Sequence, residues 1–169
     1  MNLNLEQPTP ATKHAFLDFT EDWDRHGEEI TPYGFRLLGR NYEEWLRDAV
    51  LQETQVPAHF VTASCYCLTD GSGRMLGAIQ IRHRLNEALL KSGGHIGYGV
   101  RPSERQKGYA ETMLSLALPA AKELGIDRAL ITCSKSNVAS ARTILHCGGV
   151  LENEIEEEGR VTQRYWISL

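Results

Sequence analysis

The residues from His95 to Ala110, reading His-Ile-Gly-Tyr-Gly-Val-Arg-Pro-Ser-Glu-Arg-Gln-Lys-Gly-Tyr-Ala, have the makings of an anion site. A glycine-spaced apolar strand breaks at Pro102 and gives way to a basic turn, and an apolar helix is predicted over Glu111 to Leu124. The first N–H groups of a helix lack intrahelical partners, and its dipole favours negative charge there. Arg105 and Lys107 add positive charge, and Gly108 lets the backbone approach a ligand closely. The stretch is thus predicted to cradle phosphate. Other nucleotide motifs fail: Pro102 stands where a dinucleotide fingerprint wants its third glycine, and no G-x-x-x-x-G-K-[ST] loop exists. At the head of the stretch, His95 has the right side chain for a general base near neutral pH. Its alternative role is to hydrogen-bond the Gly93-Gly94 turn.

The surrounding elements must position these groups. Leu3 and Leu5 alternate with polar neighbours as a short strand does, and Pro8 and Pro10 end it. Thr12 is placed to cap a helix over Lys13 to His26, with Phe16, Phe19 and Trp23 on one side and Asp18, Glu21, Asp22 and Asp24 on the other. A second amphipathic helix is expected over Asn41 to Gln52, with Trp45, Leu46, Ala49 and Val50 inward. His59 to Leu68, the Asp70-Gly71-Ser72-Gly73 turn and Met75 to Arg84 read as a hairpin. One or two helical turns after Asn86 lead to Gly93-Gly94 and the central strand. Beyond the helix containing Pro119, which should kink it, come a strand over Arg128 to Cys133 and a helix over Val138 to Cys147, capped by Ser136 or Asn137. A closing hairpin, Val150 to Glu156 and Val161 to Ile167, turns at Glu158-Gly159. Strand–helix–strand units at the centre argue for an α/β (α+β) fold: a mixed, mostly antiparallel central sheet of about seven strands flanked by helices.

At 169 residues the chain is most simply one domain, 1–169. A formal charge of −4 gives no global attraction to nucleic acid or acidic membranes. The N-terminus lacks the basic and apolar regions of a signal peptide, and no apolar run approaches the roughly 20 residues of a membrane span. Cys65, Cys67, Cys133 and Cys147 form no paired C-x-x-C sets, so a metal site is not expected, and reduced thiols in a cytoplasmic protein are the simplest reading.

Val100-x-Pro102-x-x-Arg105-x-x-Gly108-x-Ala110 resembles the acyl-CoA-binding signature of the GNAT (Gcn5-related N-acetyltransferase) superfamily, Gln/Arg-x-x-Gly-x-Gly/Ala. Asn137, a short helix and Gly148 follow at the family's spacing, and the order of elements matches from end to end. The resemblance implies an acetyl-CoA-dependent N-acetyltransferase with a GNAT-like fold and no metal. It implies that backbone N–H groups from Arg105 through Gln106, Lys107, Gly108 and Tyr109 to Ala110 hold the CoA pyrophosphate. The main chain at Gly99 and Val100 would pair with pantetheine where the fourth strand splays from the fifth, and would polarise the acetyl carbonyl. Asn137 and Ser140 would contact the pantetheine arm from the other side.

Catalytic groups are less defined. Many family members carry a tyrosine seven residues after the asparagine, as general acid toward the CoA thiolate; here that position is Ile144. Tyr98, Cys133 and Tyr165 are the substitutes. His95 lies near the position where the family often has a carboxylate serving as base. Arg82, His83 and Arg84 end the third strand near where acceptors enter, and if functional would favour a carboxylate or phosphate. The acidic side of the first helix points instead to a cationic acceptor. Direct attack by a small-molecule, peptide or protein amine is the expected reaction, and the resemblance implies a homodimer. The rival reading is a non-catalytic acyl-CoA-binding or sensing domain.

Overall fold

The computed structural model describes residues 2–169. The strands are β1 (Asn4–Glu6), β2 (Ala63–Thr69), β3 (Met75–Arg82), β4 (Ile96–Val100), β5 (Arg128–Ser134), β6 (Val150–Glu157) and β7 (Arg160–Ser168). The helices are α1 (Lys13–Arg25), α2 (Tyr42–Leu51), α3 (Glu87–Lys91), α4 (Tyr109–Glu123) and α5 (Val138–His146). The mixed α/β architecture and the antiparallel pairing follow the expectation. Among the described residues the strands divide into a four-stranded sheet, β1-β2-β3-β4, and a three-stranded sheet, β5-β7-β6. The two meet at an isolated bridge between Gly94 and Ile131. Beyond that bridge the β4 edge has no ladder partner, so its main-chain groups remain available to a ligand.

Alternation along the strands sends one set of side chains to each face of the sheet. Ile79 and Ile81 pack with Met113, Leu114, Ala117 and Ala121 of α4. Cys65, Cys67 and Ala78 face α1 and α2 on the other side, among Phe16, Phe19, Phe35, Tyr42 and Trp45. The Phe16 and Trp45 rings lie 4.4 Å apart, within the range of favourable aromatic pairs. Asn41 caps α2 and, with Glu44, forms a capping box.

Four local expectations are corrected. β2 begins at Ala63 rather than His59, because the chain after Pro57 turns, with the Phe60 N–H bonding the Pro57 carbonyl at 2.9 Å. Val50 is exposed rather than inward, since Tyr42, Trp45 and Ala49 form the buried stripe and Val50 falls beside it. α4 starts at Tyr109, two residues early, because Gly108 caps it at φ +81°, and the helix runs on through Pro119. The acidic side of α1, read as pointing to a cationic acceptor, is partly engaged within the fold: Asp22 is buried.

That last correction locates a structural linchpin. Arg101, directly after β4, is 1% exposed. Its Nη1 donates to Asp18 Oδ2 at 2.8 Å and to the Met75 carbonyl at 3.0 Å, and its Nε lies 3.4 Å from Asp22 Oδ2. Asp22 also accepts from the Ser103 N–H at 3.0 Å. Burial works to raise the Asp22 carboxyl, but the Ser103 hydrogen bonds and the Arg101 charge outweigh it and hold the group below its usual range. Deleting one partner of a buried ion pair leaves the other charge uncompensated, at a cost of about 3–5 kcal/mol. Arg101→Met is therefore expected to lower unfolding stability by about 3 kcal/mol or more in urea titrations. A loss below about 1 kcal/mol would show that the network carries little of the fold.

Candidate active site

A cleft of about 730 Å³ opens between β4, the loop before α4 and the start of α5. Gly99, Val100, Arg105, Gln106, Gly108, Tyr109, Ala110, Asn137 and Ser140 all line it, as does Tyr98. Lys107, of the expected cofactor residues, stands outside the lining. Its Nζ is held by Glu104 Oε2 at 2.7 Å, and Glu104 is also bound by Arg74.

The loop has the conformation an anion site needs. Gln106 and Gly108 take positive φ values of +63° and +81°, which curl the main chain. The N–H groups of Gln106, Lys107 and Gly108 make no hydrogen bond among the described residues. Successive free N–H groups in such a curl form a concave anion nest, here continued by the first turn of α4. At Gly99 the constraint is contact: a side chain would collide with the Thr31 carbonyl of the loop lying over β4.

Asn137 caps α5, its side chain accepting from the Ser140 N–H at 3.1 Å. The Ser140 hydroxyl in turn lies 2.9 Å from the Tyr98 hydroxyl, so β4 and α5 touch across the cleft through these two groups. Burial pushes the Tyr98 phenol up to about 12. Ile144, where the family often has tyrosine, is fully buried in the core.

His95 and Tyr165 lie outside the cleft lining. His95 is 7% exposed; its ring Nδ1 accepts the Leu130 N–H at 2.9 Å, while the His95 backbone N–H donates to the Leu130 carbonyl at 2.7 Å. The Nδ1 bond places the ring proton on Nε2 and ties β4 to β5. Burial, and secondarily the Arg82 charge, push its pKa down. The Tyr165 hydroxyl donates to Gln163 Oε1 at 2.8 Å, and burial raises the phenol's pKa. Cys133 and Cys147 are both pushed up by burial, as unactivated thiols are.

Sequence reasoning missed the far wall, made by Trp23 of α1 and by Glu28, Glu29 and Thr31 after it. Glu28 clasps Arg105 through two bonds of 3.0 and 2.7 Å, and the guanidinium stacks on Trp23 at 5.1 Å. Nothing local marks Glu28, because it lies 77 residues from its partner.

With this geometry in view, the comparisons are decisive. A family model described as an acetyltransferase (GNAT) domain matches residues 2–150. The chain belongs to the GNAT acetyltransferase family. The expectation of an N-acetyltransferase enzyme holds at that level. No curated protein sequence matches it significantly. Among solved structures, GNAT acetyltransferase RimL, a ribosomal L7/L12 alpha-N-protein acetyltransferase, superposes with a TM-score of 0.72 at 17% identity, covering 100% of this chain and 95% of that one. That structure holds coenzyme A, disulfide-bonded to one of its cysteines. The ribosomal-protein-S5-alanine acetyltransferase of Vibrio fischeri also gives 0.72, at 14% identity and 99% and 93% coverage. A spermidine N-acetyltransferase chimera of Vibrio cholerae and hSSAT gives 0.64, at 15% identity and 99% and 96% coverage. At these identities the GNAT neighbours establish a shared fold.

The GNAT cleft generates two expectations. A carboxylate on Arg105 competes with phosphate, so Glu28→Gln should tighten acetyl-CoA binding about two- to fivefold by calorimetry, consistent with an exposed ion pair worth up to about 1 kcal/mol; weaker binding would mean that Glu28 holds Arg105 in its working pose. The unfolded chain protonates His95 near pH 6.5 while the fold keeps it neutral, so its contribution to stability is complete above about pH 6.5 and declines below. The acid-side slope of urea stability should therefore be shallower in His95→Gln, and an unchanged slope would remove His95 from that role.

Proposed function

We propose that this GNAT protein binds acetyl-CoA in the 730 Å³ cleft and transfers its acetyl group to an amine acceptor by direct attack. The observation that carries the reading is the meeting, in one cleft, of the free N–H groups of Gln106 to Gly108 with the unladdered edge of β4. Bound there, acetyl-CoA supplies an activated acetyl group: the C–N bond forms, the C–S bond breaks, the amine loses a proton and the CoA sulfur gains one.

The chain's own groups divide the remaining work. The curled loop from Arg105 to Ala110 and the first turn of α4 hold the pyrophosphate. Gly99 and Val100 form the β4 segment that pairs with the pantetheine arm, and the N–H on its open edge faces the developing oxyanion. Asn137 and Ser140 bound the arm on the opposite side. Tyr98, still protonated at neutral pH, donates toward the CoA sulfur in concert with Ser140. Tyr165 supports the β5–β7 pair beneath the slot.

His95 serves as a positioning residue. Its Nδ1 lone pair is used by Leu130, so it holds β4 and β5 together at the root of the slot rather than taking the acceptor's proton. Residues 1–169 work as one domain, in the cytoplasm, where the free cysteines would stay reduced. The GNAT resemblance extends to a homodimer. The neighbours named for ribosomal-protein and spermidine acetylation make amines of several sizes eligible acceptors.

Three variants test this division. Gly108→Asp places a carboxylate on a left-handed position at the nest and should weaken acetyl-CoA binding at least tenfold. Tyr98→Phe should lower kcat by about 10²-fold, the scale of general acid catalysis, while retaining acetyl-CoA affinity. His95→Gln should leave the pH profile of kcat/KM in place; loss of the acid-side limb in that variant would restore His95 as the base.

A further inference from the structure

A second cavity, of about 470 Å³, lies on the α1–α2 side of the sheet, between α2, the ends of β2 and β3, and α3. Its volume is that of a small-molecule site. Trp45, Phe60 and Leu89 contribute apolar wall, and Gln80 and Arg82 project from β3.

Arg82 is the unusual group. It is mostly buried, and its Nη1 donates to the carbonyls of Gly93 and Gly94 at 3.0 and 3.1 Å. Among the described residues its Nη2 and Nε make no hydrogen bond, and no carboxylate pairs with it. Burial pushes its pKa down, and no acid offsets that effect. The more deeply buried arginines, Arg101 and Arg164, each have a carboxylate. Buried charges are normally paired, so an uncompensated guanidinium facing a cavity is a receptor for an anion.

The rest of the wall fixes the kind of anion. Asp48 is occupied by Arg40 at 2.8 Å, so the one carboxylate lining the cavity is already neutralised. A single free guanidinium balances a monoanion, and its fork matches a carboxylate. Gln80 is 6% exposed yet its described bonds are long, 3.5 Å to Gln52 and 3.8 Å to Cys65, leaving its amide able to orient a bound polar group.

Its placement connects the cavity to the reaction. A Cβ at Gly97 would lie 3.5 Å from Arg82 Nη2 and 3.3 Å from Pro32, so the guanidinium lies against β4 at Gly97. Gly99, at the mouth of the cofactor cleft, is two residues further along, about 7 Å at the rise of a strand.

We propose that Arg82 anchors the carboxylate of the acetyl acceptor, which makes the substrate class a small amino acid rather than a polyamine. The inference rests on the acetyl-transfer reading above and assigns its acceptor. A polyamine would meet an uncompensated cation here and no free carboxylate.

The test compares the free amino acids with their amides and their decarboxylated amines, alongside spermidine and an amidated peptide with a free N-terminus, by release of CoA thiol. The expected result is that the preferred acceptor is an amino acid whose amide loses at least 30-fold in kcat/KM. Arg82→Gln should equalise acid and amide, and Arg82→Lys should restore part of the preference. Preferred turnover of spermidine or of the peptide amide, or an amide as good as its acid, overturns the assignment without touching the cofactor reading. If nothing in the panel is acetylated, N-acetyl amino acids are titrated while the indole N–H of Trp45 is followed by NMR. A shift given by the acids and not by their amides supports the site, and no such shift overturns it. Calorimetry with acetyl-CoA on the same protein reports separately on the cofactor cleft.

Discussion

The buried contact between Arg101 and the two aspartates of α1 is the constraint on which the site depends. Arg101 leaves β4 directly before the cofactor loop, and Asp22 holds both that guanidinium and the Ser103 backbone. The pairing fixes α1 against the loop, which in turn brings Trp23 and Glu28 to the cleft wall beside Arg105. A guanidinium this deeply buried persists only where its partners are well placed. Its geometry therefore transmits the packing of the aromatic core under α1 to the main chain that faces phosphate.

A second constraint lies in how β4 is shared. It is laddered to β3 along one edge, whereas on the other it meets the three-stranded sheet at Gly94 and through the two-way bond between His95 and Leu130. The closed end fixes the strands, and the open end leaves Gly99 and Val100 without a strand partner on that edge among the described residues. Tyr98 and Ser140 then close the far side through a single hydroxyl contact. On the proposed reading, cofactor binding supplies a strand along the open β4 edge and places phosphate in the anion nest.

Much of this was legible in the sequence, because it is local. Gly108, the basic turn and the following apolar helix are neighbours, and the cap at Asn137 precedes its helix directly; their conformations follow from short-range sterics and capping. The reading from residues alone stops where partners are distant. Asp18 and Asp22 read as part of an acidic side pointing to a cationic acceptor, whereas Arg101, about 80 residues away, pairs with both. His95 had the composition of a base, and only the register of β4 against β5 shows its lone pair already engaged. Arg82 had the opposite fate: as part of a charged strand end it looked solvated, and burial without a carboxylate gives it significance.

The central claim is that the loop before α4 and the β4 edge together grip acetyl-CoA. Hydrogen–deuterium exchange with and without acetyl-CoA tests it most directly, since the amides of Gln106, Lys107 and Gly108 make no hydrogen bond among the described residues. The account predicts protection concentrated at residues 97–111 and 137–143, with the β6–β7 hairpin unchanged. Saturating acetyl-CoA that left residues 105–110 exchanging as fast as before would contradict it.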